Sequence, residues 1–434
     1  MVDKVYRKIV NAWCMYDWAN SAFATTIMAA VLPIFYSTVA AKDLDKHLAT
    51  SYWGYTASIG MLIVAILSPI LGAIADYTGA KKRFLALFCL GGALFTSLLI
   101  FISTGDWLLC SLFFIIAEIG FSGGNVFYDS LLPHVARRGD IDQVSTKGFA
   151  LGYLGGGLLL AVNMVMIQFP QFFFIPSKEL ATRLAFLTVG IWWAVFAIPL
   201  FRHVPEPKRP DVGERINPVV AGFGRLIKTF REMRRYRELL LFLIAFWVYA
   251  DGIGTIIKMS TIYGTEIGIG MTALLGALLW VQIIGVPCSF LFGWLAKRTG
   301  TKPAIYLGLA IYTLISIGGF FMQVAWHFWV LATLVGLVQG GTQALSRSLF
   351  GSMCPKAKTG EFFGFYSVSS KLAGVAGPFI FGLVGQLTGT GRWGILSLVV
   401  FFIVGALLLA VIKPEEGIRV AREEDAATGM AEAA

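Results

Sequence analysis

Charged residues are scarce in this chain, since Asp, Glu, Lys and Arg make up only 14% of its 434 residues. Ordinary soluble domains contain about 25% charged residues. Hydrophobic residues make up 57% of the chain, and no polar stretch is long enough to form a soluble domain with its own core. These proportions exclude a soluble globular protein and predict a protein that lies in a membrane.

The chain also has little of what enzymes and metalloproteins use. Its four histidines fall in predicted loops or at the ends of apolar runs, and its five cysteines form no C-x-x-C pair, so neither a haem nor an intramembrane zinc site is expected. No G-x-x-x-x-G-K-[ST] loop occurs, which excludes ATP hydrolysis by this chain. We therefore predict a non-enzymatic protein without cofactor or metal.

Long apolar runs dominate what is present. A membrane-spanning helix needs about 20 mostly apolar residues. Runs that meet this length predict twelve spans, at 12–40, 52–76, 83–104, 107–132, 147–169, 182–202, 238–264, 272–296, 303–323, 326–350, 361–388 and 392–412. The expected fold class is an all-α integral membrane protein.

The basic residues are distributed unevenly between the two sides of these spans. With the amino terminus inside, 28 Lys and Arg residues fall on the cytoplasmic side and five on the other. The positive-inside rule therefore predicts that both termini are cytoplasmic. Because membrane topology accounts for the net charge of +10, a nucleic-acid partner is not expected.

The spans divide into two groups of six. Residues 1–204 form the predicted amino-terminal six-helix bundle and 238–413 the carboxyl-terminal one, followed by a cytoplasmic tail at 414–434. The cytoplasmic linker 205–237 alternates apolar and basic residues at helical spacing after position 222, which is typical of an interfacial helix on anionic lipids. A solvated connector is the alternative for this linker.

Sequence motifs recur between the two groups. Gly72, Gly79 and Lys81 are repeated 221 positions later as Gly293, Gly300 and Lys302. Gly123, Asn125 and Ser130 are likewise matched 218 positions later by Gly341, Gln343 and Ser348. Two pseudo-symmetric six-helix halves that arose by duplication are expected, as in transporters that expose one site alternately to each side.

The segment Gly72-x-x-x-Asp76-x-x-Gly79-x-Lys81-Lys82-Arg83 resembles the signature loop of the major facilitator superfamily. Within that superfamily, the stretch from Tyr16 to Phe23 (YDWANSAF) is similar to the vacuole-effluxer-like family, in a bacterial-type member. Three later stretches agree, at 336–341, 343–350 and 361–367, and the resemblance covers essentially the whole chain.

This resemblance implies the major facilitator fold, with spans one, four, seven and ten around a central cavity. It also implies a transporter of small solutes, with amino acids as the leading class, because fungal members of the family are implicated in amino-acid efflux from the vacuole. Two residues depart from the family pattern: Asp129 stands where Asn is more usual, and Ala250 precedes Asp251-Gly252 where Asn is usual.

Ionisable side chains inside spans are costly, by at least ~2.5–3.5 kcal/mol near the centre, so each is expected to be paired, hydrated or functional. Polar side chains also follow one face of span four, and others one face of spans seven and ten. The candidate substrate- or proton-binding residues are Asp17, Asn20, Glu118, Asn125, Asp251, Lys258, Gln339, Gln343 and Lys371.

Asp251 and Lys258 lie about 10.5 Å apart along one helix, a separation that could hold the two ends of a zwitterion. The alternative is a permanent structural bridge from Asp251 to Lys258 or Lys371. Lys371 is expected at the depth of Asp251, where it could bind the carboxylate of an amino acid while Asp251 binds its ammonium group.

A second group of charged residues lies at the predicted cytoplasmic ends of the spans and is expected to gate the cavity. Asp76 could cap the amino end of span eleven near Glu361, because helix starts carry free N–H groups and a positive dipole end. Lys82 or Arg83 could pair with Asp129. The gating candidates are Asp76, Lys82, Arg83, Asp129, Arg347 and Glu361.

The predicted function is secondary transport of small polar solutes, with amino acids as the leading class, by alternating access and with proton coupling. Expected partners are the small-molecule substrate, protons and anionic lipids at the linker, and the chain is expected to act as a monomer in a bacterial inner membrane. The alternatives are a transporter of lysolipids, sugars or drugs, or a non-transporting receptor or scaffold on the same fold.

Overall fold

A computed structural model describes residues 2–78, 80–136, 141–206, 236–354, 362, 366, 369 and 374–427. Every regular element within these ranges is helical, which confirms the all-α prediction. Ten of the described helices are long and apolar enough to cross a membrane, and two shorter apolar helical stretches lie at Met271–Gly285 and Ala376–Thr388.

The helices follow the twelve predicted runs and are mostly longer than the runs themselves. Polar residues at the ends of the spans extend the helices past the apolar stretches by which the spans were recognised. From span two to span ten the helices are Lys46–Thr78, Lys81–Leu98, Trp107–Val135, Ile141–Gln168, Lys178–His203, Arg237–Glu266, Met271–Thr299, Thr301–Phe320 and Ala325–Ser352. Span eleven is described at Ala376–Thr388, and span twelve is Gly391–Val411.

Span one changes between α-helix and π-helix three times along its length. An α-helix at Val2–Ala22 continues as π-helix at Phe23–Ala30, returns to α-helix at Val31–Phe35 and ends as π-helix at Tyr36–Ala40. π-Helical turns are rare and occur often at functional sites. Apolar periodicity gives no indication of such a change.

The chain divides into two compact units. Unit one comprises Met1–Gly222 together with Lys258–Leu279, and unit two comprises Phe223–Ile257 together with Trp280–Ala434. Span seven is therefore shared, because its end from Lys258 onward is counted with unit one. The proposed interfacial helix of the linker lies outside the described residues.

Packing within each unit repeats the duplication seen in the sequence. In unit one, span three packs on spans four and six; in unit two, span nine packs on spans ten and twelve. The glycine at position 79 recurs at position 300, where the backbone conformation requires it. Gly300 adopts φ of +93° immediately before the helix that begins at Thr301. Side chains other than glycine rarely adopt this conformation.

The predicted tail contains a further helix, Pro414–Ala427. Gly417 and Ala421 form its buried face, and Gly417 lies against Met353 and Glu238. The buried Glu238 side chain also accepts a hydrogen bond from the backbone N–H of Lys413 at 2.7 Å. The segment after span twelve is therefore packed on unit two along this helix.

Candidate functional site

The polar residues of spans one and four meet inside unit one. Asn20 donates from Nδ2 to Oδ1 of Asn125 at 2.7 Å, and Tyr128 donates its hydroxyl to Oδ2 of Asp17 at 2.8 Å. Asp17 and Asn20 lie one turn apart on span one, as Asn125 and Tyr128 do on span four, so the two pairs share an interface. Trp13 stacks on the Tyr128 ring with centroids 4.3 Å apart.

Glycines of span five allow span one to pack closely against span five beside these residues. A Cβ atom on Gly148 would overlap Oδ2 of Asp17, and a Cβ atom on Gly152 would overlap Oγ of Ser21. Glycine is the residue that permits such close approach between helices in a membrane. The Asp17 carboxylate is therefore held between the hydroxyl of Tyr128 and the backbone of Gly148.

Glu118 and Lys258 form a buried ion pair in the same unit. The Nζ atom of Lys258 lies 2.9 Å from Oε1 of Glu118, and the two side chains are 9% and 0% exposed, respectively. The other carboxylate oxygen of Glu118, Oε2, has no hydrogen-bond partner. Removing one partner of a buried pair strands the other charge, which typically destabilises a protein by about 3–5 kcal/mol.

This pairing replaces the two arrangements considered for Lys258 from the sequence. Lys258 pairs with Glu118 and not with Asp251, and its ammonium group is already neutralised. The physical reason is distance, because seven residues on one helix separate Asp251 from Lys258 by about 10.5 Å. An acid on a neighbouring span is closer.

Asp251 has its own surroundings in unit two. Its side chain is 4% exposed, and Oδ2 accepts a hydrogen bond from the backbone N–H of Gly377 at 2.9 Å. Gly377 lies in the first turn of the helix Ala376–Thr388, where N–H groups lack partners within the helix. A Cβ atom on Gly377 would overlap Oγ1 of Thr255 and come within 2.7 Å of Oδ1 of Asp251.

Span ten contributes polar residues of differing exposure. Gln339 is half-buried and Gln343 is exposed. Ser346, one turn further, is buried and lies 2.6 Å from the hydroxyl of Tyr249 on span seven. Lys371 lies outside the described residues, so its predicted position opposite Asp251 stays a prediction.

The structure assigns a contact to Lys82 that the sequence did not suggest. Its Nζ atom donates to the carbonyls of Phe201 and Val204 at 3.0 and 2.6 Å, at the carboxyl end of span six. Its backbone N–H donates to Oε1 of Glu206 at 2.9 Å. Lys82 therefore caps a helix and does not contact Asp129.

The other gating candidates keep their predicted roles as hypotheses. Arg83, Asp129 and Arg347 are exposed. Asp76 lies within the helix Lys46–Thr78, but its side chain is outside the described part of the structure, and Glu361 lies outside the described residues altogether. The pairing of Asp129 with Arg83 and the capping of span eleven by Asp76 stay predictions.

Sequence reasoning missed the residues that hold the charged groups in place. Tyr128, Trp53, Gly60, Gly148 and Gly377 contact the candidate residues or their backbone. Aromatic and glycine residues are common throughout this chain, so composition does not single these out. The only sequence signal for Gly148 was its place in a run of glycines, which we attribute to close helix packing.

Comparison with known proteins first defines the class. A bacterial homologue of the human lysosomal transporter Spinster, in an inward-facing and unoccupied conformation, aligns with a TM-score of 0.66 over 96% of this chain and 98% of its own, at 16% sequence identity. This likeness confirms the major facilitator fold. Together with the family match and the Bacillus subtilis relative given in the next paragraph, this fold makes the chain a multi-pass membrane transporter of the major facilitator type and not an enzyme.

The family follows from sequence. The model of the vacuole effluxer Atg22-like family matches residues 6–141 and 137–422, and the chain belongs to this family. An MFS-type transporter of Bacillus subtilis (strain 168), YxiO, is 40% identical over 97% of this chain and 99% of its own. Autophagy-related protein 22 of Coccidioides immitis (strain RS) is 25% identical over 96% of this chain and 88% of its own.

Proposed function

We propose that this transporter moves small polar solutes, with amino acids as the leading class, by alternating access coupled to protons. The observation that carries the coupling is the ion pair between Glu118 and Lys258, buried within unit one. Protonation of Glu118 would neutralise the carboxylate and leave Lys258 without its counter-charge. A buried pair of this kind has two states that differ by one proton and differ strongly in stability.

The substrate proposal rests on Asp251 and on the family. Asp251 places a buried carboxylate on span seven, where Oδ2 accepts a hydrogen bond from the backbone N–H of Gly377 and the hydroxyl of Thr255 packs against the same glycine. A carboxylate binds an ammonium group more strongly in a buried site than in water. We propose that Asp251 binds the amino group of the substrate and Lys371 its carboxylate, as expected from the sequence.

The remaining polar candidates have supporting roles in this proposal. Asp17 and Asn20 are held by Tyr128 and Asn125 and line the interface of spans one and four. Gln339 and Gln343 add neutral hydrogen-bonding groups on span ten. Arg83 with Asp129, and Asp76 with Glu361, are proposed to close the cytoplasmic side.

The proposal includes the cellular setting. We propose that the protein lies in a bacterial inner membrane as a monomer, with both termini in the cytoplasm and with anionic lipids at the linker. The Bacillus relative and the excess of basic residues in the predicted cytoplasmic segments support this setting.

The decisive experiment is solute uptake into proteoliposomes, with and without an imposed pH gradient, screened across the twenty amino acids. We expect at least one amino acid to accumulate only when the gradient is present. If the uptake of an amino acid does not depend on the pH gradient, the proposed proton coupling is wrong. A complete lack of amino-acid binding by the purified protein would overturn the substrate class and favour sugars, lysolipids or drugs.

A further inference from the structure

Span two carries none of the candidate binding residues, yet it touches both members of the ion pair. Trp53 donates from Nε1 to the backbone carbonyl of Lys258 at 3.2 Å. Gly60 lies directly against Glu118, because a Cβ atom at this position would overlap Oε2 of the carboxylate. Trp53 and Gly60 are seven residues apart and therefore share one face of the helix.

The same face of span two is fixed on span four by matching contacts. The ring of Trp53 packs on Phe114 with centroids 4.7 Å apart, and Thr56 donates its hydroxyl to Oγ of Ser111 at 2.9 Å. Trp53, Thr56 and Ser111 are all buried. These contacts fix span two on span four in the part of span two that runs from Trp53 to Gly60.

The surroundings of Glu118 leave one charged partner. Among the described residues, Lys258 is the charged side chain that faces it. Asp17 of span one bonds to Tyr128, which lies about 15 Å from Glu118 along span four at 1.5 Å per residue. Asp129 is one residue beyond Tyr128. The contact with Gly60 covers the second carboxylate oxygen.

We infer that Gly60 and Trp53 are positioning residues for proton coupling, with Gly60 setting the place of the Glu118 carboxylate and Trp53 that of the Lys258 backbone. This inference rests on the proposed function of the pair. Glycine at position 60 allows a glutamate to reach Lys258 while its other oxygen packs on the helix backbone. Any larger residue would push the carboxylate away from the ammonium group.

The inference predicts a size-complementation between positions 60 and 118. Gly60→Ala adds one methyl group where Oε2 now lies, and Glu118→Asp withdraws the carboxylate by one methylene. Each single substitution is expected to reduce gradient-driven uptake of a mixture of the twenty radiolabelled amino acids by roughly tenfold or more. The double variant Gly60→Ala/Glu118→Asp is expected to recover most of that loss, because the added methyl group fills the space that the shorter acid leaves.

Matched controls separate this effect from general damage to a helix. Gly157→Ala adds the same methyl group where no atom lies within 4 Å, and it should leave uptake within about twofold of the unsubstituted protein. Trp53→Phe keeps the ring and removes the N–H donor, and it should slow uptake several-fold. Trp192→Phe removes an N–H donor whose hydrogen bond is equally long, 3.2 Å to the carbonyl of Trp18. Because this hydrogen bond lies away from the ion pair, the substitution should have little effect on uptake.

Thermal unfolding in detergent, measured on the same proteins, keeps the two proposals distinguishable. Recovery of the unfolding midpoint in the double variant would support the positioning role even if the unsubstituted protein showed no gradient-driven uptake, in which case the coupling proposal alone would fail. If the losses from Gly60→Ala and Glu118→Asp instead add in the double variant, in both uptake and unfolding, the positioning role is wrong. Equal effects of Trp53→Phe and Trp192→Phe on uptake would show that Trp53 has no positioning role.

Discussion

At the scale of single residues, Lys82 and Lys302 show how a charged motif can serve packing. Lys82 is the second residue of span three and donates to carbonyls at the end of span six. Lys302 is the second residue of span nine and donates to the carbonyls of Ala410 and Ile412 at the end of span twelve, at 3.1 and 2.7 Å. Carbonyls at helix ends lack partners and carry partial negative charge, so a lysine satisfies both needs.

Replacement of Lys82 by Gln tests this cap. The variant should lose about 1 kcal/mol of stability, because the charge at the carboxyl end of span six is removed. Thermal unfolding in detergent would measure the loss, with Arg83→Gln as the matched control from the exposed neighbouring position. A larger loss from Arg83→Gln than from Lys82→Gln would contradict the capping role.

Asp251 is the residue whose charge the proposed transport depends on most. Asp251→Asn keeps an oxygen that can accept the N–H of Gly377, so folding and membrane insertion should be preserved. Because the amide carries no charge, gradient-driven accumulation of amino acids should be abolished. Asp43→Asn, in an exposed loop, is the control, and normal accumulation by the Asp251 variant would refute the role.

At the scale of elements, span four brings most of the unit-one candidates together. Four of its residues follow one another over about three turns: Glu118, Asn125, Tyr128 and Asp129. The first three contact Lys258, Asn20 and Asp17, respectively. The helical period predicted that Glu118 and Asn125 share a face. It did not predict their partners, because each partner lies on another span and more than a hundred positions away in the sequence.

The proposed gate at the predicted cytoplasmic end of span four can be tested by a labelling experiment. If Asp129 pairs with Arg83 when the inner side is closed, Asp129→Asn should shift the resting population toward the inward-open state. A reporter cysteine at the exposed Gln343 position should then react faster with a thiol reagent added from the cytoplasmic side. Unchanged reactivity would count against the pairing.

Four of the five native cysteines give this experiment a low background, and the half-buried Cys288 is replaced by Ser beforehand. Cys14, Cys89, Cys110 and Cys354 are buried. Cys354 lies beyond the end of span ten, where burial raises the pKa of its thiol to about 12. Since the thiolate is the reactive form, labelling of Cys354 should stay slow at neutral pH and rise only under strongly alkaline conditions.

At the scale of the whole molecule, duplication explains both the repeated motifs and the repeated packing. Each unit pairs its third span with its fourth and sixth, counted from the start of its half, and each uses a lysine to cap its last span. The transporter class follows from this architecture together with the family. The orientation in the membrane follows from charge alone and stays a prediction.

That orientation can be measured with fusions at the carboxyl terminus. A green fluorescent protein joined after Ala434 should fluoresce in bacterial cells, because that end is expected in the cytoplasm, where the reporter folds. Alkaline phosphatase at the same position should be inactive, since it needs export. The opposite pattern would reverse the predicted topology and place the linker and the gating residues outside.

The sequence by itself determined the properties that depend on local composition and period. Apolar runs of sufficient length specified the all-α membrane fold, and repeated motifs predicted its two halves. The cost of charges in apolar surroundings identified Glu118, Asp251 and Lys258 as residues that require an explanation. These inferences need only neighbours along the chain, where helix geometry is known in advance.

Only the tertiary structure decided which of these residues meet. The pairing of Lys258 with Glu118, the contacts of Trp53 and Gly60 with that pair, and the cap supplied by Lys82 all join residues far apart in sequence. The packed helix Pro414–Ala427 and the π-helical turns of span one were also absent from the sequence pattern. The physical reason is that a charge inside a membrane takes whichever partner the packing of helices brings within reach, and that packing is not encoded in the period of any one helix.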